Sequence, residues 1–271
     1  MKAWQSYPIQ KHDNFYYRGT WKKSIFKKTL AIVGSRRHST YGQKALESLI
    51  PELVANHVTI ISGFMYGIDS LAHQYCLDLG GITVAVLGSG LDCLYPPEND
   101  DLYSRILDQN GLVISQFEPD FKATVWSFPQ RNITVAKLST LGVLVIEAGL
   151  KSGSLITANL AKKFKKPLFA LPGPITSSVS TGTNELIKSG NAQLITSASD
   201  ILSTKQIPLP LDTPTLPQAE SNIINCLKLE PLSLDELSLK LDLSVPLLSP
   251  HLSSLSLSDL IEEINGKFYL K

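Results

Sequence analysis

The sequence lacks the features that would place it in a membrane or outside the cell. No apolar run approaches the length of about 20 residues that a bilayer-spanning helix needs. Residues 1–5 lack the apolar core of a secretory signal, so we expect a cytoplasmic protein with no membrane partner. The three cysteines are scattered, without a CxxC pair or a His–Cys cluster. This spacing argues against a disulfide framework and a metal site, and it predicts reduced thiols.

Charge is nearly balanced over the whole chain but unevenly distributed along it. The net charge is +1 at pH 7, which by itself does not indicate a nucleic-acid partner. Residues 14–46 contain eight basic side chains and no acidic one, whereas residues 220–271 contain eight acidic side chains against four basic ones. We therefore expect one basic surface and one mildly acidic surface. A basic stretch alone is as consistent with a solvated surface as with a binding site.

Short β-branched apolar runs alternate with helical patterns between residues 29 and 196. The predicted strands are 29–34, 58–62, 82–87, 111–115, 142–147, 167–171 and 192–195. The predicted helices are 42–56, 69–80, 98–110, 130–140, 154–165 and 182–190. The strands are almost continuously apolar, as expected when helices cover both faces of a parallel sheet. The predicted fold class is therefore α/β, with a doubly wound, mostly parallel sheet over residues 29–204.

The composition of the chain changes on either side of this domain. Four prolines between residues 205 and 219 predict an extended linker. Residues 220–271 follow with three helical patterns and two short strands joined by Asn265-Gly266, which predicts a small winged-helix domain. Residues 1–28 carry no strong pattern, and we expect them to form an irregular arm that packs across the sheet domain.

Glycine, serine and threonine follow most of the predicted strands. Ligands of an open parallel sheet bind beyond the carboxyl ends of its strands. The first strand leads into residues 34–42, where Arg36 and Arg37 stand beside a helix start, a combination that favours phosphate. Residues 151–154 form a second Gly/Ser-rich helix start that carries a lysine. No GxGxxG fingerprint is present, so NAD is disfavoured and we expect no cofactor.

Two further groups of residues lie among these loops. Trp126 and Phe128 stand close to Arg131, and single-stranded nucleic acid needs aromatic platforms beside cations, although each ring alone is more often part of a core. Several phosphate-type loops along one sheet edge also fit linked phosphates better than one nucleotide. Asp69 is placed to cap a helix, and His73 is expected to be a packed helix residue rather than a catalyst.

These loops, taken in order, resemble the DNA processing protein A (DprA/Smf) family over nearly the whole chain. The matching segments include AIVGSR at 31–36, SGxxxGID at 62–69, FPxRN at 128–132 and KSGSLITA at 151–158. The resemblance implies a Rossmann-like core and a homodimer that binds single-stranded DNA without catalysing a reaction. It also implies that the protein protects incoming DNA during natural transformation and loads the RecA recombinase.

The resemblance extends to individual positions of the DNA site. The residues expected there, with Arg37 included from the same loop, are Ser35, Arg36, Arg37, Ser62, Gly63, Gly67, Phe128, Arg131, Asn132, Lys151, Ser152, Gly153 and Ser154. Glu147 is expected to shape a loop, because an acid facing phosphate is unfavourable. The family usually has a second arginine after FPxRN, where this chain has Ile133, so one phosphate contact is expected to be missing.

Two other functions stay open at this point. Residues 182–186 faintly resemble the GGxGTxxE loop of LOG-type nucleotide phosphoribohydrolases, in which case Glu147 or Glu185 would attack a glycosidic bond with Arg131 nearby. The missing double glycine and the glutamate spacing count against this enzyme. The other alternative is an interaction protein that has lost DNA binding and uses its winged-helix domain. The acidic charge of that domain favours protein contact or autoregulation over DNA.

Overall fold

A computed structural model describes residues 2–203, 218–227, 230–241, 243–257, 261–264 and 266–270 of the chain. Contacts between residues divide the chain into two units, Met1–Leu209 and Pro210–Lys271. The predicted linker at 205–219 lies outside the described residues except at its last two positions, so its extended conformation stays a prediction. The domain limits predicted at residues 204 and 220 stay predictions as well.

The first unit is built on a nine-stranded sheet with the order β1-β2-β6-β5-β4-β3-β7-β8-β9. The strands are β1 (Gln10–His12), β2 (Phe15–Gly19), β3 (Thr29–Val33), β4 (Thr59–Ser62), β5 (Thr83–Val86), β6 (Leu112–Ser115), β7 (Gly142–Val145), β8 (Leu168–Ala170) and β9 (Gln193–Leu194). All pairings from β3 to β9 are parallel. Since β3 lies centrally and later strands are added first on one side and then on the other, the predicted doubly wound α/β fold is confirmed.

Helices cover both faces of this sheet. They are α1 (Thr40–Ala55), α2 (Ile68–Asp78), α3 (Asp100–Asp108), α4 (Ser127–Leu138), α5 (Ser154–Lys163), α6 (Thr181–Lys188) and α7 (Ala198–Leu202). Leu30 and Ile32 of β3 pack with α1, α2 and α7 on one face. Ala31 and Val33 pack with α4 and α5 on the other. Burial on both faces explains why the strand sequences are continuously apolar.

The prediction of an irregular N-terminal arm is wrong for residues 10–19. They form an antiparallel hairpin whose second strand, β2, pairs with β6 and extends the sheet. Arg18 is buried at the end of β2 and donates to the carbonyl oxygen of Leu91 at 2.7 Å and to Oδ1 of Asp92 at 2.7 Å. The side chains of β1 are all exposed, so this strand carries no hydrophobic pattern from which it could be predicted.

The second unit has a separate core and its own small sheet. Its elements are α8 (Gln218–Leu227), β10 (Leu232–Ser233), α9 (Leu234–Leu241), α10 (Val245–Leu257), β11 (Ile261–Ile264) and β12 (Lys267–Leu270). The sheet order is β10-β12-β11, with antiparallel pairing throughout. Three helices and a hairpin confirm the predicted winged-helix domain, and β10 is an added strand. Among the described residues of both units, no helix is long and apolar enough to cross a bilayer.

Candidate nucleic-acid interface

A cleft of about 840 Å³ opens beyond the carboxyl ends of β3, β4 and β7. β3 and β7 are neighbours in the sheet, but the helices that follow them, α1 and α5, pack on opposite faces. The two connections therefore diverge and leave a crevice, as expected where the strand order of a doubly wound sheet reverses. The start of α4 forms a further wall.

This cleft brings together most of the residues predicted for the DNA site. Those that line it are Ser35, Arg36, Arg37, Gly63, Phe128, Arg131, Asn132, Lys151, Ser152, Gly153 and Ser154. Ser62 and Gly67 do not line it. The Ser62 hydroxyl is buried and donates to the carbonyl oxygen of Ile32 at 2.6 Å, which ties β4 to β3. Gly67 has a φ of 81° and lets the chain pass close to the backbone of Ser35 and Arg36.

The loop after β3 is fixed by its own hydrogen bonds and by one buried carboxylate. Ser35 Oγ accepts a hydrogen bond from the Arg37 backbone N–H at 3.1 Å and donates to the Arg37 carbonyl at 2.8 Å. Ser39 caps α1, and both its backbone N–H and its hydroxyl donate to Glu147, which is only 1% exposed. Glu147 therefore occupies the start of α1 and shapes the loop, whereas the start of α5 faces the cleft.

Three cations at the mouth of the cleft have no acidic partner among the described residues. Arg36, Arg37 and Lys151 are exposed, and none forms an ion pair with a residue that the structure describes. The Arg36 guanidinium lies 5.6 Å from the centre of the Phe128 ring, in cation–π contact. The hydroxyls of Ser152 and Ser154 lie 2.7 Å apart at the start of α5. The mouth thus offers positive charge and hydroxyl groups to an anion.

Arg131 forms the floor of the cleft and is only 3% exposed. Its Nη1 donates to the carbonyl oxygens of Gly63 and Val86, and its Nε donates to Oδ1 of Asn132 at 3.0 Å. Burial lowers the pKa of Arg131 to about 10, so it stays cationic at neutral pH. Arg131 therefore braces the ends of β4 and β5 and also contributes positive charge from below.

Asp69 also lines the cleft, and it does not cap α2 as the sequence suggested. The helix cap is Gly67, and Asp69 lies in the first turn, where it accepts a hydrogen bond from the Met65 backbone at 3.4 Å. Burial raises the pKa of Asp69 to about 6, against the opposing charge of Arg131. His73 is buried with Nδ1 2.6 Å from the Thr83 hydroxyl, and burial lowers its pKa to about 3. It is a neutral packed residue, as predicted.

Sequence reasoning missed part of the cleft wall, and it grouped Trp126 with Phe128, which the structure separates. Tyr95 lines the cleft and packs against Phe128 with 5.6 Å between ring centres. The sequence signal was its position just after the Gly88–Asp92 loop, because that loop ends the neighbouring strand β5. Trp126 does not line the cleft and instead contacts Phe117 and Phe121.

The groups that the enzyme alternative requires are not arranged for attack on a ligand in this cleft. Glu147 is buried under the loop after β3, and Glu185 is exposed on α6 and does not line the cleft. Within the described ranges, no group of three His, Cys, Asp or Glu side chains could hold a metal ion. What the cleft presents is a positively charged mouth, a cationic floor and a half-buried phenyl ring.

Two family models match the chain. The model described as DNA recombination-mediator protein A matches residues 6–206, and the DprA winged helix domain matches residues 208–267. The chain is 43% identical over 180 residues to protein Smf of Escherichia coli (strain K12), covering 66% of this chain and 48% of that protein. It is 41% identical over 188 residues to DNA processing protein DprA of Streptococcus pneumoniae, covering 69% and 65%. The chain thus spans about half to two thirds of the length of these curated relatives.

Two solved structures resemble the chain closely. DNA processing protein A from Helicobacter pylori, which was described for its single-stranded DNA binding mode, superposes with a TM-score of 0.65 at 33% identity, covering 74% of this chain and 96% of that one. DprA from Streptococcus pneumoniae superposes with a TM-score of 0.66 at 35% identity, covering 74% and 75%.

Proposed function

Because the chain belongs to the DNA processing protein A family, we propose that its cleft binds the backbone of single-stranded DNA. The observation that carries this proposal is a set of three exposed cations around one cleft at the strand-order reversal, Arg36, Arg37 and Lys151, none of which pairs with an acid in the described part of the chain. Phosphates bound there would replace water and counterions around these side chains, and the buried charge of Arg131 would add attraction from the floor. The Ser152 and Ser154 hydroxyls supply neutral donors for phosphate oxygens.

An oligonucleotide titration tests this assignment. Arg36→Ala and Lys151→Ala should each weaken binding of single-stranded DNA by about tenfold, the loss of one charged hydrogen bond. Each should also reduce the slope of log affinity against log salt by about 0.7. Lys163→Ala is the matched control, because Lys163 is exposed at the far end of α5 and does not line the cleft. Affinities and slopes equal to the parent's in both cleft variants would refute the site. A duplex of the same sequence, run at two salt concentrations, measures the preference for single strands.

We propose that the cleft binds its ligand without catalysing a reaction on it. Support comes from the positions of Glu147 and Glu185, the two carboxylates that a phosphoribohydrolase reading would use. One is committed to Ser39 and the other is absent from the cleft lining. Incubation with AMP and isopentenyl-AMP, followed by chromatography for free base, tests this, and release of base would overturn it.

We also propose the cellular role that family membership suggests: a cytoplasmic homodimer that protects incoming DNA during natural transformation and loads RecA. The free cysteines of the described residues suit a reducing compartment. Sedimentation analysis measures the oligomeric state, and RecA filament formation on protein-coated single strands measures loading. A monomer at all concentrations, or coated DNA that excludes RecA, would remove the corresponding part of this proposal.

A further inference from the structure

Trp126 is the most exposed aromatic side chain that the structure describes. It is 59% exposed, whereas the next two, Tyr41 and Tyr95, are 40% and 39% exposed. Exposure of so large an apolar ring is unfavourable in water, yet the indole is not loose. It makes edge-on contacts with Phe117 and Phe121, at 5.7 Å and 5.6 Å between ring centres, and those two phenyl rings stack on each other at 4.6 Å. We call these three residues the aromatic shelf.

The backbone beneath the indole is fixed as well. Ser127, the first residue of α4, is buried. Its hydroxyl donates to the carbonyl oxygen of Gly88 at 2.5 Å, and its backbone N–H donates to the carbonyl oxygen of Thr124 at 3.1 Å. The Thr124 backbone N–H donates back to the Ser127 hydroxyl at 3.1 Å. Trp126 is thus presented between two anchored residues. A ring held in place loses little freedom when a flat ligand stacks on it.

Phe128, the aromatic residue inside the cleft, is less available for stacking. The Arg36 guanidinium lies over its ring at 5.6 Å, and Tyr95 packs against it at 5.6 Å. These two contacts cover part of the Phe128 ring, which is half-buried. The free aromatic surface of this region is on the shelf.

We propose that the aromatic shelf is a stacking subsite for a nucleobase of the same strand whose phosphates the cleft binds. This inference rests on the proposed function, and it assigns base contact and phosphate contact to different residues. The shelf is continuous with the cleft along the chain, because Val125 and Phe128 on either side of Trp126 both line the cleft. Lys122, in the same loop, is exposed and forms no ion pair with a described residue, so it suits a phosphate next to that base.

The shelf is expected to be tolerant of sequence, because every base offers a flat π surface and stacking reads no hydrogen-bond pattern. It also predicts that an oligonucleotide binds more tightly than a mononucleotide, since only a strand reaches both the cleft and the shelf.

Intrinsic fluorescence gives a direct readout of this subsite. Of the three tryptophans, Trp4 is buried at 2% exposure and Trp21 is covered by His12 at 4.5 Å. Single-stranded oligothymidine should therefore quench mainly Trp126, and Trp126→Phe should abolish most of the quenching. Trp126→Ala should weaken oligonucleotide binding at least about fivefold, by the usual loss of one stacked base. Its salt slope should equal that of the parent, because no charge is removed.

An oligonucleotide with abasic positions distinguishes stacking from an indirect effect. The parent and Trp126→Ala should bind a fully abasic strand with equal affinity, but they should differ in affinity for the normal strand. This difference is the coupling energy between the indole and the bases, as measured by a double-mutant cycle. Equal loss on both strands would overturn the subsite. Thermal unfolding of each variant checks folding, and Trp126→Phe, which keeps an aromatic ring, should retain part of the affinity.

The outcomes also separate this inference from the function on which it rests. If Arg36→Ala weakens binding while Trp126→Ala binds and quenches like the parent, the shelf is wrong and the cleft assignment stands. If the parent binds no single strand, the proposed function itself fails. If Trp126 emission instead shifts with protein concentration in the absence of DNA, a second copy of the chain covers the shelf, and the subsite is overturned.

Discussion

Asp69 is a buried acid whose ionised form is destabilised by the fold. It is buried at 8% exposure, and burial raises its pKa from 3.8 to about 6. The folded protein therefore holds this proton more tightly than the unfolded chain does, and stability should rise as the pH falls from about 7 toward 4. For Asp69 alone the gain is about 3 kcal/mol, complete below the unfolded pKa and lost as the pH rises through 6.

The Asp69→Asn variant tests this directly, because it keeps the size of the side chain and removes the titration. The difference in unfolding free energy between variant and parent, measured with denaturant at several pH values, should favour the variant above pH 6 and shrink as the pH falls below it. Glu52→Gln, at an exposed position on α1 whose carboxylate forms no ion pair with a described residue, is the control for general effects of acid removal. A difference that stays constant between pH 4 and 8 would show that Asp69 does not titrate in this range.

Gly67 is a second residue at which the effect of a substitution can be predicted. Its φ is 81°, and a Cβ atom there would lie 2.7 Å from the carbonyl oxygen of Arg36. Gly67→Ala should therefore lower the unfolding free energy by about 1–3 kcal/mol through backbone strain, with a further loss from displacement of the loop after β3. DNA affinity should fall in parallel because Arg36 moves.

Gly80 supplies the matched control for this substitution. It has a similar φ of 70°, but a Cβ atom there would meet nothing within 4 Å. Gly80→Ala should therefore lower the unfolding free energy only by the cost of the positive φ, and DNA affinity should not change. If the two variants were equally stable and bound DNA equally well, the close approach of Gly67 to the loop would have no energetic consequence.

At this scale, residue types and spacing were enough to predict most of the cleft. They were not enough to distinguish the residues that line the cleft from the residues that support its walls from behind. Ser62 and Gly67 belong to the same motif as Gly63, and only the pleat of β4 and the path of its loop decide which one faces the cleft. Trp126 and Phe128 are two positions apart. Their separation into shelf and cleft depends on the fold of the loop between β6 and α4, which brings Phe117 and Phe121 against Trp126.

At the scale of elements, the hairpin of β1 and β2 depends on contacts that are remote in sequence. Arg18 binds the carbonyl of Leu91, 73 residues further along the chain, and also donates to the Tyr7 carbonyl at 2.9 Å. Arg18→Met, which keeps the apolar stem, should cost about 3 kcal/mol of unfolding free energy, because these acceptors lose a charged donor. Hydrogen exchange of the β2 amides should accelerate more than that of β4.

Lys22→Met is the comparison for Arg18→Met, since Lys22 is exposed and makes no ion pair within the described part of the chain. Unchanged exchange in β2 of the Arg18 variant would mean that strand pairing with β6 alone holds the hairpin.

The same hairpin shows which elements a sequence can and cannot predict. Strands β3 to β8 are buried on both faces, so their sequences are nearly continuous apolar runs of three to five residues. β1 has no buried side chain. β2 is held by antiparallel pairing with β6, by its partly buried aromatic side chains, and by Arg18, whose partners Leu91 and Asp92 lie far along the chain. Hydrophobic periodicity gives no signal for such a contact, so this hairpin could not be predicted from the sequence pattern.

At the scale of the whole molecule, net charge is a poor guide to function here. The chain carries +1, yet its cleft collects Arg36, Arg37, Lys151 and Arg131 against a single acid, Asp69. Residues 220–271 have eight acidic side chains against four basic ones. Positive charge is concentrated in the first unit, so DNA affinity should be a property of that unit, and the second is better suited to a protein partner.

A chain ending at residue 209 tests this division. Three hydrophobic clusters pack within residues 4–202, so the first unit retains all of its core. The truncated protein should bind single-stranded DNA with the affinity of the full chain. Its salt slope should also be the same, with a magnitude of about 3 if all four cleft cations meet phosphates. A loss of affinity with a smaller slope would place phosphate contacts on the second unit. A full chain that binds a protein partner but no DNA would favour the interaction-protein alternative, because the cations of the cleft would then be solvated surface.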